Sequence, residues 1–298
     1  MNRKLWTIPL ALLLFASCAH PPPTKTATKA SIPPAAARGT LFRFAAYGDT
    51  RHQHDIHQDI VDKVLQQEPA LVLQTGDLVD DGDVQAEWTK FDQITAGLRQ
   101  RVPYYPARGN HDVGDHHYYE DRVTQPVLSG NRLYYSFEKG GVHFVSIDTL
   151  QSLKPGSPQY LWLENDLKTA RDAGRFIIPF FHKAIFSIGQ HYADRDVLAL
   201  RPTLHRLFQK HGIILVFQGH DHIYYRTKRD GITYVVTGGG GAPLYDKYTE
   251  PGDGDVFEKV HHFCIADVTP NRVTVAAYRQ DLSPVDRFEV PIKPPLTP

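Results

Sequence analysis

Five short segments of the sequence place Asp, Asn or His side chains where they could share a metal ion. Carboxylate, amide and imidazole groups are the ligands that suit borderline-hard ions such as Mn, Fe and Zn. Such a cluster could activate water for hydrolysis and neutralise the charge of an anionic substrate. The segments are Gly48-Asp49, Gly76-Asp77, Gly109-Asn110-His111-Asp112, His182 and Gly219-His220-Asp221-His222.

Each segment follows a stretch whose pattern predicts a β-strand. The apolar runs that end just before them lie at 41–47, 70–74, 102–106, 175–181 and 213–217. In open α/β sheets, functional groups collect at the carboxyl ends of the strands, and a glycine lets the backbone turn sharply there. A single Gly-Asp pair after a strand is usually an ordinary turn. Five such endings in one chain instead predict a polar cluster with a chemical role.

The remaining elements predict the fold class. Helical spacing of apolar residues indicates a first helix that begins near Ile56 and stops at Pro69. Further helices are expected at 84–98, 158–172 and 197–210, and further strands at 142–148, 232–237, 260–267 and 272–278. Strand-helix alternation followed by consecutive strands predicts an α/β fold. We expect a single-domain α/β/β/α sandwich of two mixed sheets flanked by helices over residues 41–292, with a surface tail at 293–298.

The order and spacing of the polar segments resemble the calcineurin-like metallophosphoesterases, in particular their purple-acid-phosphatase-like branch. The likeness spans residues 48–222 and rests on two Gly-Asp pairs, Gly-Asn-His-Asp, a His after an apolar strand and Gly-His-x-His. It implies two divalent or trivalent metal ions (Fe, Mn or Zn) bridged by Asp77. The implied ligands are Asp49, Asp77 and His222 for the first metal, and Asp77, Asn110, His182 and His220 for the second.

The resemblance implies hydrolysis of phosphate mono- or diesters by direct attack of a metal-bridging hydroxide. His111 would protonate the leaving oxygen as general acid, and Asp112 or a metal-binding carboxylate would orient it. The sequence has no Gly-x-Ser-x-Gly elbow and no Gly-Lys-Ser/Thr phosphate loop, which agrees with a mechanism without a covalent intermediate. The alternatives are a non-catalytic lipoprotein that binds a phosphate ligand with a degraded first metal site, and pyrophosphate cleavage at the same cluster.

Two positions depart from the family pattern. Many members have a His two residues after the first Asp, and the purple enzymes have a Tyr three residues after the bridging Asp. This sequence has Arg51 and Asp80 there. The first metal therefore lacks one expected ligand, which His52, His54, His57, Asp80 or a water could supply, and no purple colour is expected. The guanidinium of Arg51 matches phosphate oxygens, with a surface ion pair as the alternative role.

Two further features lie close to these segments. The run 238–241 consists of four glycines whose amides could approach a phosphate, but its spacing does not fit Gly-x-Gly-x-x-Gly. We expect a strained loop near the mouth of the site. The segments His116-His117-Tyr118-Tyr119 and His191-Tyr192 are expected in solvent-exposed loops, with a role in lining a substrate pocket as the alternative.

The N-terminus has the pattern of an export signal. A basic stretch and a short apolar run precede Cys18, and the run is too short to span a membrane. The sequence Phe-Ala-Ser-Cys at 15–18 resembles the lipobox of bacterial lipoproteins, with Phe where that motif usually has Leu. We expect a signal peptide at 1–17, lipidation of Cys18 and a Pro/Ala-rich tether at 18–40. The protein would be lipid-anchored in the bacterial cell envelope, or secreted if Cys18 is not lipidated.

The composition excludes several classes of partner. The 298 residues hold 33 Lys and Arg against 33 Asp and Glu, so no nucleic acid is expected as a structural partner. Hydrophobic residues make up 41%, which is enough for a substantial core. With only two cysteines, Cys18 and Cys264, the chain cannot build a disulfide framework. The expected partners are a phosphoester substrate and, through Cys18, a membrane.

Overall fold

The computed structural model describes residues 39–296, which form fourteen strands and four α-helices. The helices are α1 (His54–Gln66), α2 (Gln85–Arg99), α3 (Pro158–Asp172) and α4 (Arg195–Lys210). The strands of the first half are β1 (Phe42–Tyr47), β2 (Leu71–Gln74), β3 (Tyr104–Pro106), β4 (Ser129–Gly130), β5 (Tyr135–Lys139), β6 (Val142–Ile147) and β7 (Phe176–Lys183). Those of the second half are β8 (Leu215–Gly219), β9 (Tyr224–Arg229), β10 (Ile232–Thr237), β11 (Val256–Glu258), β12 (His262–Thr269), β13 (Arg272–Arg279) and β14 (Pro284–Pro291).

The strands form two mixed sheets. The first has six strands in the order β14-β13-β12-β1-β2-β3, and the second has eight in the order β11-β9-β10-β8-β7-β6-β5-β4. Neighbours are parallel from β1 to β3 and from β6 through β7 and β8 to β10, and antiparallel elsewhere. In each sheet the parallel strands carry their carboxyl ends to one edge, where their loops can share a site.

Aromatic side chains fill the space between the two sheets. Phe44 of β1 meets Phe144 of β6 and Phe217 of β8 edge to face, with ring centroids 5.4 and 5.8 Å apart. All three rings are fully buried. Since burying one Phe side chain contributes about 1.5–3 kcal/mol, such contacts hold the two sheets face to face.

Helices cover the outer face of each sheet. On the first sheet, His57 of α1 stacks on Phe91 of α2, and Phe91 packs against Tyr104 of β3. On the second sheet, Leu163 of α3 and Leu204 of α4 share a buried cluster with strand side chains. The layers are therefore helix, sheet, sheet, helix, and the predicted α/β/β/α sandwich of two mixed sheets is confirmed.

The sequence patterns located the buried elements better than the exposed ones. Helix α3 and strand β10 have the predicted bounds, and the other predicted elements differ by a few residues at their ends. The short or polar strands β4, β5, β9, β11 and β14 were not predicted. In β14 only Val290 is buried, so the strand lacks the apolar run that marks the central strands.

The ends of the chain differ in what the structure describes. The segment expected as a surface tail contacts the domain through Leu296, which is 7% exposed and donates its backbone N–H to the carbonyl of Pro270. The predicted signal peptide, Cys18 and nearly all of the tether lie outside the described residues. Within residues 39–296, no helix combines the length and the apolar character needed to cross a bilayer.

Candidate metal centre

The loops after β1, β2, β3 and β8 and the last residues of β7 meet at one edge of the sandwich. Backbone hydrogen bonds join the first two, since Asp49 donates to the carbonyl of Gly76 and Thr50 donates to that of Asp77, each at 2.9 Å. His220 links the second sheet to these loops, because its backbone nitrogen lies 3.1 Å from both carboxylate oxygens of Asp49. The predicted polar segments of both sheets therefore form one site.

Three of the candidate ligands have a left-handed backbone conformation. The φ angles are 58° at Asp49, 54° at Asp77 and 71° at His220. This conformation costs a residue other than glycine about 1–3 kcal/mol, and residues strained in this way occur mainly at functional sites. The left-handed conformation therefore falls on the residue after Gly48 and after Gly219, and on both Gly76 (φ 98°) and Asp77 in the second segment. Gly109 serves a different need, because a Cβ there would lie 2.1 Å from the backbone nitrogen of Asp77.

Asp49, Asp77 and His222 form the first group of candidate ligands. One ligand atom from each lies within 4.8 Å of the others, and all three residues are at most 1% exposed. Nδ1 of His222 donates to the carbonyl of Pro243 at 2.7 Å, so Nε2 keeps a lone pair on the side of Asp49. Burial raises the pKa of Asp49 well above its ordinary value, and the neighbouring charge of Asp77 raises it further. Two carboxylates buried this closely need a positive charge between them.

The second group surrounds Nε2 of His182. This atom lies 2.9 Å from Oδ1 of Asn110, 3.2 Å from Oδ1 of Asp77 and 3.0 Å from Nδ1 of His220. Nδ1 of His182 is held by the carbonyl of Thr75 at 3.0 Å. Burial lowers the pKa of both His182 and His220, which favours neutral rings with lone pairs available to a metal.

The donor chemistry of the two groups fits a pair of metal ions. Both groups combine buried carboxylates with imidazoles that favour the neutral form, and this set suits Mn, Fe or Zn. Asp77 belongs to both groups, which places it as the bridging candidate. Asn110 is the exposed member and lies at the mouth of the site.

The two residues that depart from the family pattern lie together beside the first group. Nη1 of Arg51 is 2.9 Å from Oδ1 of Asp80, and its Nε is 3.5 Å from Oδ2 of Asp77. His52 also reaches Oδ1 of Asp80, at 3.0 Å. Among the proposed substitutes for the missing ligand, His52 and Asp80 are thus near the site, whereas His57 is buried in the core under Phe91.

His111 is held in place by Asp80 and Asp77, whereas Asp112 or a metal-binding carboxylate was expected to orient it. Its Nδ1 lies 2.6 Å from the carbonyl of Asp80, and its backbone N–H donates to Oδ1 of Asp77. The carboxylate of Asp112 instead accepts the backbone N–H groups of Leu78, Val79 and Gly109, at 2.7 to 3.3 Å. The expectation that Asp112 orients His111 is therefore not met. Asp112 therefore connects the loop after β3 to the loop after β2.

Two residues near the site escaped the sequence analysis or were placed differently by it. The ring of Tyr245 stacks on the ring of His222 with centroids 4.0 Å apart, and the backbone N–H of Tyr245 donates to the His222 carbonyl. No local motif marks this tyrosine. His191 stacks on His220 at 4.0 Å and contacts Asp194 at 2.8 Å, so it covers the site instead of lying free in a loop. His191, Asp194 and His220 form a further group with metal-ligand spacing, separate from the two described above.

The four glycines serve close packing. A Cβ on Gly239 would lie 2.2 Å from Nδ1 of His262, and one on Gly240 would lie 2.4 Å from the carbonyl of Gly48. The N–H groups of Gly238 and Gly240 already donate to the carbonyls of Ile223 and Gly48. These amides are therefore occupied, which removes them as a phosphate cradle.

Fold and site together define an α/β sandwich with a candidate two-metal centre at the carboxyl ends of its strands. The model of the calcineurin-like phosphoesterase family matches residues 42–224, and the chain belongs to this family.

Curated relatives point to one branch of that family. Purple acid phosphatase 18 of Arabidopsis thaliana is 30% identical over 232 residues, which cover 70% of this chain and 52% of that protein. Probable purple acid phosphatase 20 of the same plant is 29% identical over 199 residues, which cover 59% of this chain and 47% of that protein. The chain spans about half the length of these relatives.

A solved structure shows the same fold. Purple acid phosphatase PPD1 from yellow lupin seeds superposes with a TM-score of 0.71 at 18% identity, covering 87% of this chain and 55% of that one.

Proposed function

We propose that this protein is a dinuclear-metal phosphoesterase that hydrolyses phosphate mono- or diesters. The observation that carries the proposal is the position of Asp77. Its carboxylate lies within ligand distance of both groups of candidate donors, and its Oδ1 also accepts the backbone N–H of His111. A bridging carboxylate beside a candidate acid is the arrangement that a two-metal hydrolase needs. The names of the curated relatives support a phosphatase.

The protein's own residues would hold the metals in two sets. Asp49, Asp77 and His222 would bind the first metal, and Asp77, Asn110, His182 and His220 the second. When bound, such ions supply an activated water and neutralise the charge on the phosphate. The carbonyls of Thr75 and Pro243 fix the ring orientation of His182 and His222 through the nitrogen that faces away from the site.

His111 would hold the proton that the leaving oxygen receives. Because the Asp80 carbonyl accepts from Nδ1, the proton on Nε2 is the one available for transfer. The His111 side chain is 31% exposed, so a substrate at the mouth of the site can reach it. No role remains for Asp112 in this transfer, since its carboxylate is used by three backbone amides.

Arg51 would bind the phosphate oxygens. Its side chain is 11% exposed and lies against Asp77, Asp80 and His222, with an Nη2 to Nε2 distance of 3.5 Å to the histidine. Its Nε is buried and has no hydrogen-bond partner in the described part of the chain. A planar cation held there supplies donors for a phosphate that approaches the metal pair.

Metal analysis combined with substrate turnover tests the proposal. The parent protein and Asp77→Ala would be assayed for metal per chain and for hydrolysis of 4-nitrophenyl phosphate and bis(4-nitrophenyl) phosphate. Close to two metals in the parent, with metal-dependent turnover, is the expected result, and the ratio of the two rates then narrows the substrate. One metal or none, with no turnover after Mn, Fe or Zn is added, overturns the proposal in favour of a phosphate-binding lipoprotein.

Export and lipid anchoring at Cys18 are proposed from the sequence alone. The short apolar run and the lipobox-like residues at 15–18 support them. Metabolic labelling with a radioactive fatty acid should label the parent protein but not Cys18→Ser. Labelling of both, or of neither, would contradict lipidation at this cysteine.

A further inference from the structure

A cavity of 540 Å³ lies one loop away from the candidate metal centre. Its wall includes Phe186 and Tyr192 from the loop between β7 and α4, and Tyr225 from β9. The same loop carries His191, whose ring stacks on His220 of the centre. One face of this loop therefore covers the metal centre while neighbouring residues line the cavity.

Arg201 of α4 is one of two arginines in the wall of this cavity, the other being Arg229. The guanidinium of Arg201 lies 5.0 Å from the ring centroid of Phe186, and its Nε donates to the carbonyl of Ile185 at 2.6 Å. One Nη lies at the longer distance of 3.5 Å from the carbonyl of Tyr192. Within residues 39–296 it forms no ion pair with a carboxylate. A partly buried cation without a counter-charge is costly, which makes an anionic ligand the natural complement.

The other charges around the cavity are already compensated. Arg229 pairs with Asp255 at 3.1 Å, and Asp255 also accepts the hydroxyl of Tyr225 at 2.6 Å. Glu250 contacts Lys247, and its side chain is 80% exposed. Burial, and then the charge of Arg229, lower the pKa of Arg201, as expected where no carboxylate lies alongside. The wall thus carries one uncompensated positive charge.

We infer that this cavity binds the leaving group of a phosphoester whose leaving group carries its own anion, a carboxylate or a second phosphate. Arg201 binds that anion, and Phe186, Tyr192 and Tyr225 contact an apolar or aromatic body. The inference rests on the proposed function in placing the reacting phosphate at the metal centre. It adds a substrate class that the polar motifs do not encode.

Kinetics on a graded set of aryl phosphates tests the inference. The set is phenyl phosphate and phenyl phosphates with a para carboxylate on a chain of one to four carbons. In Arg201→Gln, KM should rise about 10-fold to 100-fold for at least one carboxylated ester, as expected for a lost charge-assisted hydrogen bond. KM for phenyl phosphate should change less than about twofold. The same esters with a phosphate in place of the carboxylate test whether the anion that Arg201 binds can be a second phosphate.

Arg206→Gln is the matched control, because Arg206 is exposed on the same helix. Arg201→Lys keeps the positive charge and should restore part of the preference for the carboxylated ester, and thermal unfolding of all variants checks the fold. Equal changes in KM for both kinds of ester, or no change in either, would overturn the inference.

A binding measurement separates the inference from the proposed function. Titration calorimetry with 4-phenylbutyrate, which has no phosphate, should show binding to the parent and to Asp77→Asn, and no binding to Arg201→Gln. If the parent hydrolyses no ester, the proposed function and the leaving-group role fail together, and Arg201-dependent binding would still support an anion site. If the parent hydrolyses esters but Arg201 affects neither binding nor KM, only the inference is overturned.

Discussion

Arg51 and Asp80 form an ion pair with each other, with 2.9 Å between Nη1 and Oδ1. They occupy the two positions at which the chain departs from the family motifs. The two departures are thus one structural feature beside the first group of candidate ligands. Asp80 additionally holds His111 through its carbonyl, so one residue contacts both the candidate phosphate binder and the candidate acid.

The pair predicts coupled effects on substrate binding. Arg51→Ala should raise KM for aryl phosphates about 10-fold or more while changing metal content little, because the guanidinium contacts the ligands without being one. Asp80→Ala should raise KM less, and the double variant should resemble Arg51→Ala alone, since Asp80 acts on the phosphate through Arg51. Kinetics and elemental analysis of the three variants check this. Additive effects on KM would show that the two residues act independently.

Restoring the family tyrosine predicts a change of colour. The iron-loaded parent should lack a tyrosinate-to-iron absorption band, because Asp80 stands where the purple enzymes have Tyr. The double variant Arg51→Gly, Asp80→Tyr should gain a visible band when loaded with iron, since removal of the guanidinium leaves room beside Asp77. Visible spectra of both proteins at equal iron content test this. A band in the parent would mean that another tyrosine reaches the metal.

His111 should affect chemistry and not metal binding. His111→Ala should retain its metals and lose about 10²–10⁴-fold in kcat for alkyl phosphates, because a poor leaving group needs the proton most. The loss should be smaller for 4-nitrophenyl phosphate, whose leaving group is stable as an anion. Asp77→Ala is the contrasting variant and should lose both metals. Equal rates for parent and His111→Ala on both esters would remove His111 as the acid.

The sequence predicted the helices and strands whose apolar residues follow a regular spacing along the chain. Helix α3 was placed correctly because its apolar residues recur at helical spacing after Pro158. Strand β14 was missed because it lies at the edge of a sheet and polar residues such as Arg287 and Glu289 are exposed there. Edge strands need pairing with a neighbour to be recognised, and pairing is a property of the folded chain.

The same division holds at the site. The motifs marked Asp49, Asp77 and His222 because residues after strand ends converge in this class of fold. The motifs did not show that Asp112 binds backbone amides, since that depends on how two loops approach each other. Tyr245 lies far along the chain from His222, and only the folded structure brings its ring there.

The stacking of Tyr245 on His222 predicts an effect on metal affinity. Tyr245→Leu should weaken metal binding about 10-fold, because the His222 ring loses the partner that fixes its orientation. Tyr245→Phe keeps the ring and should bind metal like the parent. Tyr248→Leu is the control, since Tyr248 is 62% exposed. Metal retained after dialysis against a graded chelator would measure this. Equal loss in the Phe variant would assign the effect to the hydroxyl instead.

Burial of His57 predicts a contribution to acid unfolding. Burial, and to a smaller extent the charge of His54, lower the pKa of His57 from 6.5 to about 3 in the folded protein. Between these values the unfolded chain binds a proton that the folded chain does not, so stability falls as the pH drops from 6.5 toward 3. One proton corresponds to a slope of about 1.4 kcal/mol per pH unit.

Replacing His57 should flatten that slope. His57→Phe keeps an aromatic ring against Phe91 and removes the titrating group, so its free energy of unfolding should depend less on pH between about 6 and 4 than that of the parent. Urea unfolding at a series of pH values gives the difference directly. The exposed His116 serves as the control, because His116→Gln should leave the slope unchanged. Parallel curves for the parent and His57→Phe would mean that His57 takes up its proton in the folded state at an ordinary pH.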